Sequence, residues 1–203
     1  MFDLHPEELQ ILRKLRTPEK IQDFLDSLPM NFEKNGETYM SPRRVLSERT
    51  AHCMEGAMLA ALALRIAGEK PLVMDLKVTD ADDDHVVAVF RKFGCYGAIS
   101  KTNHGTVRYR DPVYRSLHEL AMSYFHEYTA PNGDKILRSY SGAVDLSRFD
   151  SRGWMTAEED VHYIPEYIDQ VRHYPVVSGA QIKNLRRADR MERKIGAELE
   201  WKE

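Results

Sequence analysis

The sequence predicts an α+β fold, and three observations carry that reading. Apolar residues recur at helical spacing through the first part of the chain, the period turns strand-like between 71 and 101, and helical spacing returns from 116. Neither an internal repeat nor a low-complexity linker interrupts the 203 residues. One domain, 1–203, is therefore the economical arrangement, with a core over roughly 41–128 and helices added on both sides.

The elements follow in order. Pro6 is a first-turn proline ahead of EELQILRKL, and Thr17-Pro18 is cap plus first turn before EKIQDFLDSL. Ile21, Phe24, Leu25 and Leu28 make the apolar stripe of that second helix. NFEKNGETYM is polar and contains glycine, so it is loop, and Ser41-Pro42 starts RRVLSER. From Cys53 onward Met54, Ala57, Met58, Ala61, Leu62 and Ile66 recur, with Ala and Leu filling the other faces. A helix apolar on nearly every side is a buried, central one, and Gly68 ends it.

PLVMDLKVT, HVVAVFRK and CYGAISK are then strands, separated by the acidic turn DADDD and the tight reversal Phe93-Gly94. TVRYRD is a further ladder candidate. SLHELAMSYFHEY is helical and PNGD a turn. Thr156-x-x-Glu159 is a capping box that opens AEEDVHYIPEYIDQV, with Pro165 expected to interrupt it. After Ser178 the stretch GAQIKNLRRADRMERKIGAELEW is expected to be one long amphipathic helix.

Composition excludes several function classes. With 42% hydrophobic and 30% charged residues the chain is of ordinary water-soluble type, and a net charge of −3 argues against nucleic acid or an anionic membrane as partner. No run approaches the roughly 18 apolar residues of a membrane span. The N-terminus is acidic where a signal peptide needs an apolar core, so a cytoplasmic protein with two reduced thiols is expected. There is no Cys-x-x-Cys pair for structural zinc, and no metal or other cofactor is expected. Asp80, Asp82, Asp83 and Asp84 lack the glycine and distal glutamate of a calcium loop and are expected to be a solvated turn. His118 and His126 have no third ligand, and KNLRRADRMERK alternates with acidic residues as an ion-paired surface does.

The chemistry points to Cys53. A thiolate is the reactive form of cysteine, and a helix N-terminus stabilises it through unpaired amides and the helix dipole. Such a nucleophile needs a base, and the base needs an orienting partner. His85 heads a strand just after the acidic turn, and nearby carboxylates favour its cation. His52 precedes the cysteine directly and is expected to point away from it as a surface residue. Cys95 is expected to be a structural thiol, and Arg43, Arg44 and Arg49 to lie on a solvated helix face.

HCMEGAMLAALALRIAGEKPLVMDLKV followed by DDDHVVAVFRKFGCYGAIS resembles the core of the transglutaminase-like, papain-like cysteine superfamily, in a bacterial-type form, over residues 49–115. The resemblance implies a central Cys-bearing helix packed on a small antiparallel sheet. It also implies Cys53 as nucleophile, His85 as general base and Tyr96 at the family's aromatic position. The family's acidic residue falls on Ser100. A reversal at Phe93-Gly94 puts residue 85 opposite about 102, so Ser100, Thr102 and Asn103 are the candidates to receive the His85 N–H. Asp111 is the nearest downstream carboxylate. The implied activity is thiol attack on an amide or thioester carbonyl of a peptide, protein or small amide. Hydrolysis is favoured over cross-linking because water needs no second binding site. The alternative is an inactive relative that uses the same cleft as a binding or scaffold module, motivated by the missing acid.

Overall fold

A computed structural model describes residues 2–202. Short-range capping starts most of the helices. α1 (Pro6–Lys14), α2 (Pro18–Asp26) and α3 (Pro42–Glu48) each carry proline in the first turn, where a missing N–H costs nothing. Thr17 and Ser41 cap the second and third through their side chains. α4 (Cys53–Ile66) is apolar all round and is buried from Met54 to Leu64. Its chain leaves through Gly68 at φ +100°, a conformation that favours glycine.

Seven strands form one sheet in which every recorded pairing is antiparallel, in the order β4-β3-β2-β1-β5-β7 with β6 also on β1. β1 is Leu72–Lys77, β2 His85–Lys92, β3 Cys95–Ile99 and β4 Arg110–Tyr114. β5 (Ser139–Ser141), β6 (Val144–Asp145) and β7 (His173–Pro175) complete the other side. Between β2 and β3 both turn residues, Phe93 and Gly94, have positive φ, as the two-residue hairpin requires, and Lys92 pairs with Cys95.

The sheet has two covered faces. Val73, Val86, Ala88, Phe90 and Ile99 pack with α1 to α4 and with Trp154, Ile164 and Ile168. Met74, Leu76, Val87, Val89 and Ala98 pack with α5 (Leu117–Tyr124) and its extension through Tyr128. Among the described residues no helix is long and apolar enough to cross a membrane.

Four expectations are corrected. The fourth sheet partner of the sequence reading, TVRYRD, pairs only from Arg110 onward, and β5, β6 and β7 come from segments without clear strand periodicity. Residues 157–162 are not helical. Instead α6 spans Tyr163–Gln170, so Pro165 lies in its first turn and starts the helix where it was expected to interrupt one. The C-terminal region is two short helices, α7 (Gly179–Ile182) and α8 (Arg190–Gly196). Ala188, buried between them, donates its amide to the Gly133 carbonyl, and Asp189 then caps a new helix start with Glu192. α5 also ends earlier than the apolar spacing suggests, at Tyr124. A 3-10 helix over Leu146–Arg152 joins β6 to the segment before α6.

Candidate active site

Cys53 occupies the first position of α4 and is partly exposed, its Sγ 4.0 Å from the carbonyl of Asp84. It stands on the wall of a cleft of about 630 Å³ at the end of the sheet. Burial pushes its thiol up. The nearby imidazoles of His52 and His85, which favour the thiolate, outweigh that and bring Cys53 down to about 5. The positive end of the 14-residue helix acts in the same direction.

His85 is the first residue of β2 and its ring is buried. Its Nε2 lies 2.7 Å from Ser100 Oγ, and Ser100 Oγ lies 2.6 Å from the Val107 carbonyl. The carbonyl can only accept, so the single hydroxyl proton goes there. Ser100 Oγ therefore accepts from His85 Nε2–H, and Nδ1 is the nitrogen left with a lone pair. Ser100 is itself fixed by Gln22 of α2, which accepts its N–H at 2.9 Å and donates to its carbonyl at 2.8 Å. Continuing the β2–β3 register puts Ser100 diagonally across from His85 on one face, within reach of a long side chain.

The other two candidates are engaged elsewhere. Thr102 Oγ1 accepts the His104 amide at 3.1 Å. Asn103 donates to the Trp201 carbonyl at 3.0 Å and accepts the Trp201 amide at 2.7 Å, so it pins the C-terminal segment and does not reach His85. Asp111 is exposed on β4, and Tyr96 lies at the hairpin end of β3 against Arg91. Cys95 is half-buried in β3. Arg43 and Arg44 are ion-paired with Glu8 and Asp160, and Arg49 lies over the Phe24 ring.

His52 corrects the sequence reading. It is buried and is not yet a helical residue: as the N-cap of α4 it has extended backbone (φ −95°, ψ −173°), which turns its ring back over the helix mouth. Its Nε2 donates to the Thr38 carbonyl at 2.7 Å, and its Nδ1 accepts the Met54 amide at 3.3 Å in the neutral ring. Burial holds its pKa down, but the Cys53 thiolate, Glu55 and the Thr38 carbonyl raise it to about 9. Protonation thus exchanges a long amide bond for attraction to the thiolate.

Glu55 was also hidden in the sequence, inside an apolar helix. Its fully buried carboxylate accepts from the amides of Met40 and His52, each at 3.0 Å, from Thr38 Oγ1 at 3.0 Å and from Asn31 Nδ2 at 3.1 Å. It ties the 31–40 loop to the cap that carries His52. The signal available was its spacing, three residues after the N-cap.

A buried carboxylate on the cleft wall, Asp75, is paired with the half-buried His173 behind it. Asp75 of β1 accepts from His173 Nε2 at 2.9 Å, and His173 Nδ1 lies 2.8 Å from the Val171 carbonyl. Both ring nitrogens face acceptors, an arrangement that favours the doubly protonated ring, and the hydrogen bond to Asp75 raises its pKa. Asp75 sits where the outer edge of β1 is divided between β5 and β6, and its own amide goes to Ser141 Oγ at 2.9 Å. Its second oxygen, Oδ1, is buried with no partner, as is the hydroxyl of Tyr128. Among the described residues no group of three or more His, Cys, Asp or Glu side chains is placed to hold a metal ion.

Compared with known proteins, the chain matches no family model and no curated protein.

Proposed function

We propose that this chain is a cysteine hydrolase of transglutaminase-like type, acting on the amide or thioester bond of a peptide or a small amide in the cytoplasm. On this reading α4 and β1 to β4 are the papain-like core, and the remaining helices are additions to it. The observation that carries the proposal is the arrangement at Cys53. The thiol heads a buried helix, two imidazoles lower its pKa, and the Ser100–Val107 relay leaves the Nδ1 lone pair of His85 for it.

The chemistry follows from those atoms. His85 takes the Cys53 proton, and the thiolate attacks the substrate carbonyl. The amide of Cys53, at the first helical position and outside the intrahelical ladder, is the natural donor to the oxyanion. Collapse breaks the carbon–nitrogen bond as His85 gives its proton to the departing amine, leaving a thioester on Cys53. Water then attacks that thioester, passing a proton to His85, and the acid and the free thiol return. Ser100 holds the imidazole in the working tautomer but supplies no negative charge to stabilise its cation.

Iodoacetamide labelling of full-length protein tests this, read at Cys53 and Cys95 by peptide mass from pH 4 to 9. Cys53 is expected to reach half its maximal rate near pH 5, following its lowered pKa of about 5. Titration of Cys53 near an ordinary thiol value of about 8.5, with no advantage over Cys95, overturns the reading. The neutral Ser100 favours one alternative, a binding module without turnover. It would give a single burst of p-nitrophenol from p-nitrophenyl acetate and no steady state.

A further inference from the structure

We infer that the cleft at Cys53 selects a substrate carrying a primary ammonium or guanidinium, and that Asp75 Oδ1 receives one of its N–H groups. The inference rests on the reading of Cys53 as the reacting group and names the substrate class of that site.

The charge of the walls is the first observation. Asp82 and Asp83 on the turn before β2, Glu37 on the loop before α3 and Glu166 on α6 all line the cleft. Among the described residues none of these four is in an ion pair. The lysine on the wall, Lys101, is buried and donates its ammonium protons to the carbonyls of Leu25 and Leu28. Lys77 is taken up by Asp84 and Asp169. Among the described residues no arginine lines the cleft, and the histidines nearest Cys53, His52 and His85, act on its thiol. A concave surface lined by one sign of charge focuses its field and concentrates the opposite ion.

The second observation is independent of that field. Asp75 is 3% exposed and lines the same cleft, yet one of its carboxylate oxygens has no partner. Tyr128, 6% exposed and on the same wall, has an unpartnered hydroxyl. Buried polar atoms in folded proteins are nearly always bonded, and an unfilled acceptor on a residue that lines a cleft marks where a ligand donor fits. His173 Nε2 holds Oδ2, which fixes the carboxylate in one orientation and leaves Oδ1 without a partner. A cation on a chain a few atoms from the attacked carbonyl meets both features: a negative approach and a buried anchor. A basic peptide side chain and a small free amine share this chemistry.

Charged thiol reagents test the inference on full-length protein. The rates of 2-(trimethylammonium)ethyl and 2-sulfonatoethyl methanethiosulfonate at Cys53 are each divided by the rate with free cysteine. The cationic reagent is expected to be favoured by about tenfold at low salt, the advantage shrinking as ionic strength rises and the Debye length falls. A ratio like that of free cysteine overturns the inference even where iodoacetamide shows an activated thiol. Slow iodoacetamide labelling with the cationic preference intact overturns the nucleophile reading and leaves the charge selection standing. For the anchor, N-acetyl-lysine N-methylamide and 1-aminobutane are each tested as protectants of Cys53 against iodoacetamide, beside the neutral N-acetyl-norleucine N-methylamide. Protection by the lysine amide alone identifies a peptide side chain, and equal protection by both amines identifies the ammonium as sufficient. Protection by the norleucine amide equal to that by the lysine amide overturns the anchor. Asp75→Asn is expected to lose about tenfold in protection by the cation. Asp83→Asn, on an exposed turn, lowers the reagent ratio and serves if Asp75→Asn fails to fold. An unchanged protectant affinity in folded Asp75→Asn overturns Asp75 as the receiver.

Discussion

His85 Nε2 donates to Ser100 Oγ at 2.7 Å, and the Ser100 proton continues to the Val107 carbonyl at 2.6 Å. This chain of two hydrogen bonds decides which imidazole nitrogen keeps its lone pair. Ser100→Ala leaves a buried ring N–H and a buried carbonyl without partners, a loss of about 1–3 kcal/mol for such groups. Denaturant melts should show it, and the Cys53 labelling midpoint should move above about 5. Ser100→Asp can still accept from His85 Nε2–H and adds the negative charge that Ser100 lacks, but it cannot donate to Val107, so it should keep the acidic labelling profile while lowering stability. A labelling midpoint raised in Ser100→Asp as far as in Ser100→Ala would contradict the assignment.

Glu55 and His52 form one unit at the helix mouth. Glu55→Gln places an amide NH₂ among groups that all donate, so it should destabilise the fold by about 3 kcal/mol or more, as breaking a buried charged network does. His52→Gln tests the imidazole separately. It should raise the pH midpoint of Cys53 alkylation by about one unit or more while leaving the maximal alkaline rate nearly unchanged.

The His173–Asp75 pair makes stability depend on pH in a definite direction. The folded state raises the pKa of His173 above its ordinary value. The pair's contribution is therefore fully present below about 6.5, the unfolded value, and is lost as pH rises through the folded value. Tm should fall from neutral toward alkaline pH, and His173→Gln should flatten that slope. Equal slopes in the two proteins would remove the pair from the account.

Gly56 lies inside α4, where glycine costs about 1 kcal/mol relative to alanine. A Cβ there would come within 2.4 Å of Lys101 Cβ. Gly56→Ala should therefore lower stability despite its better helix propensity, by about 1–3 kcal/mol for an overpacked core. A stabilised variant in thermal melts would show that the segment after β3, at Lys101, yields at this point.

Much of the element order was legible because its signals act over three or four residues. Proline or a hydroxyl side chain at Pro6, Thr17-Pro18 and Ser41-Pro42 marks helix starts that the structure has. The Phe93-Gly94 turn sets the register of β2 on β3, and that register brings position 100 near position 85. The same local signals misled where two of them compete. The Thr156 capping box lost to a proline-led start at Tyr163, and the basic C-terminal pattern concealed a second cap at Asp189.

By itself, then, the sequence determined an α+β chain with Cys53 at a buried helix mouth and His85 at a strand start, because capping, turn type and periodicity are local interactions. Tertiary structure alone decided which of Ser100, Thr102 and Asn103 receives the His85 proton, since Gln22 positions the first and Trp201 engages the last. It also turned His52 inward and joined Asp75 to His173 across 98 positions. Such choices depend on the direction and burial of single atoms, and those are set by partners far away in the chain.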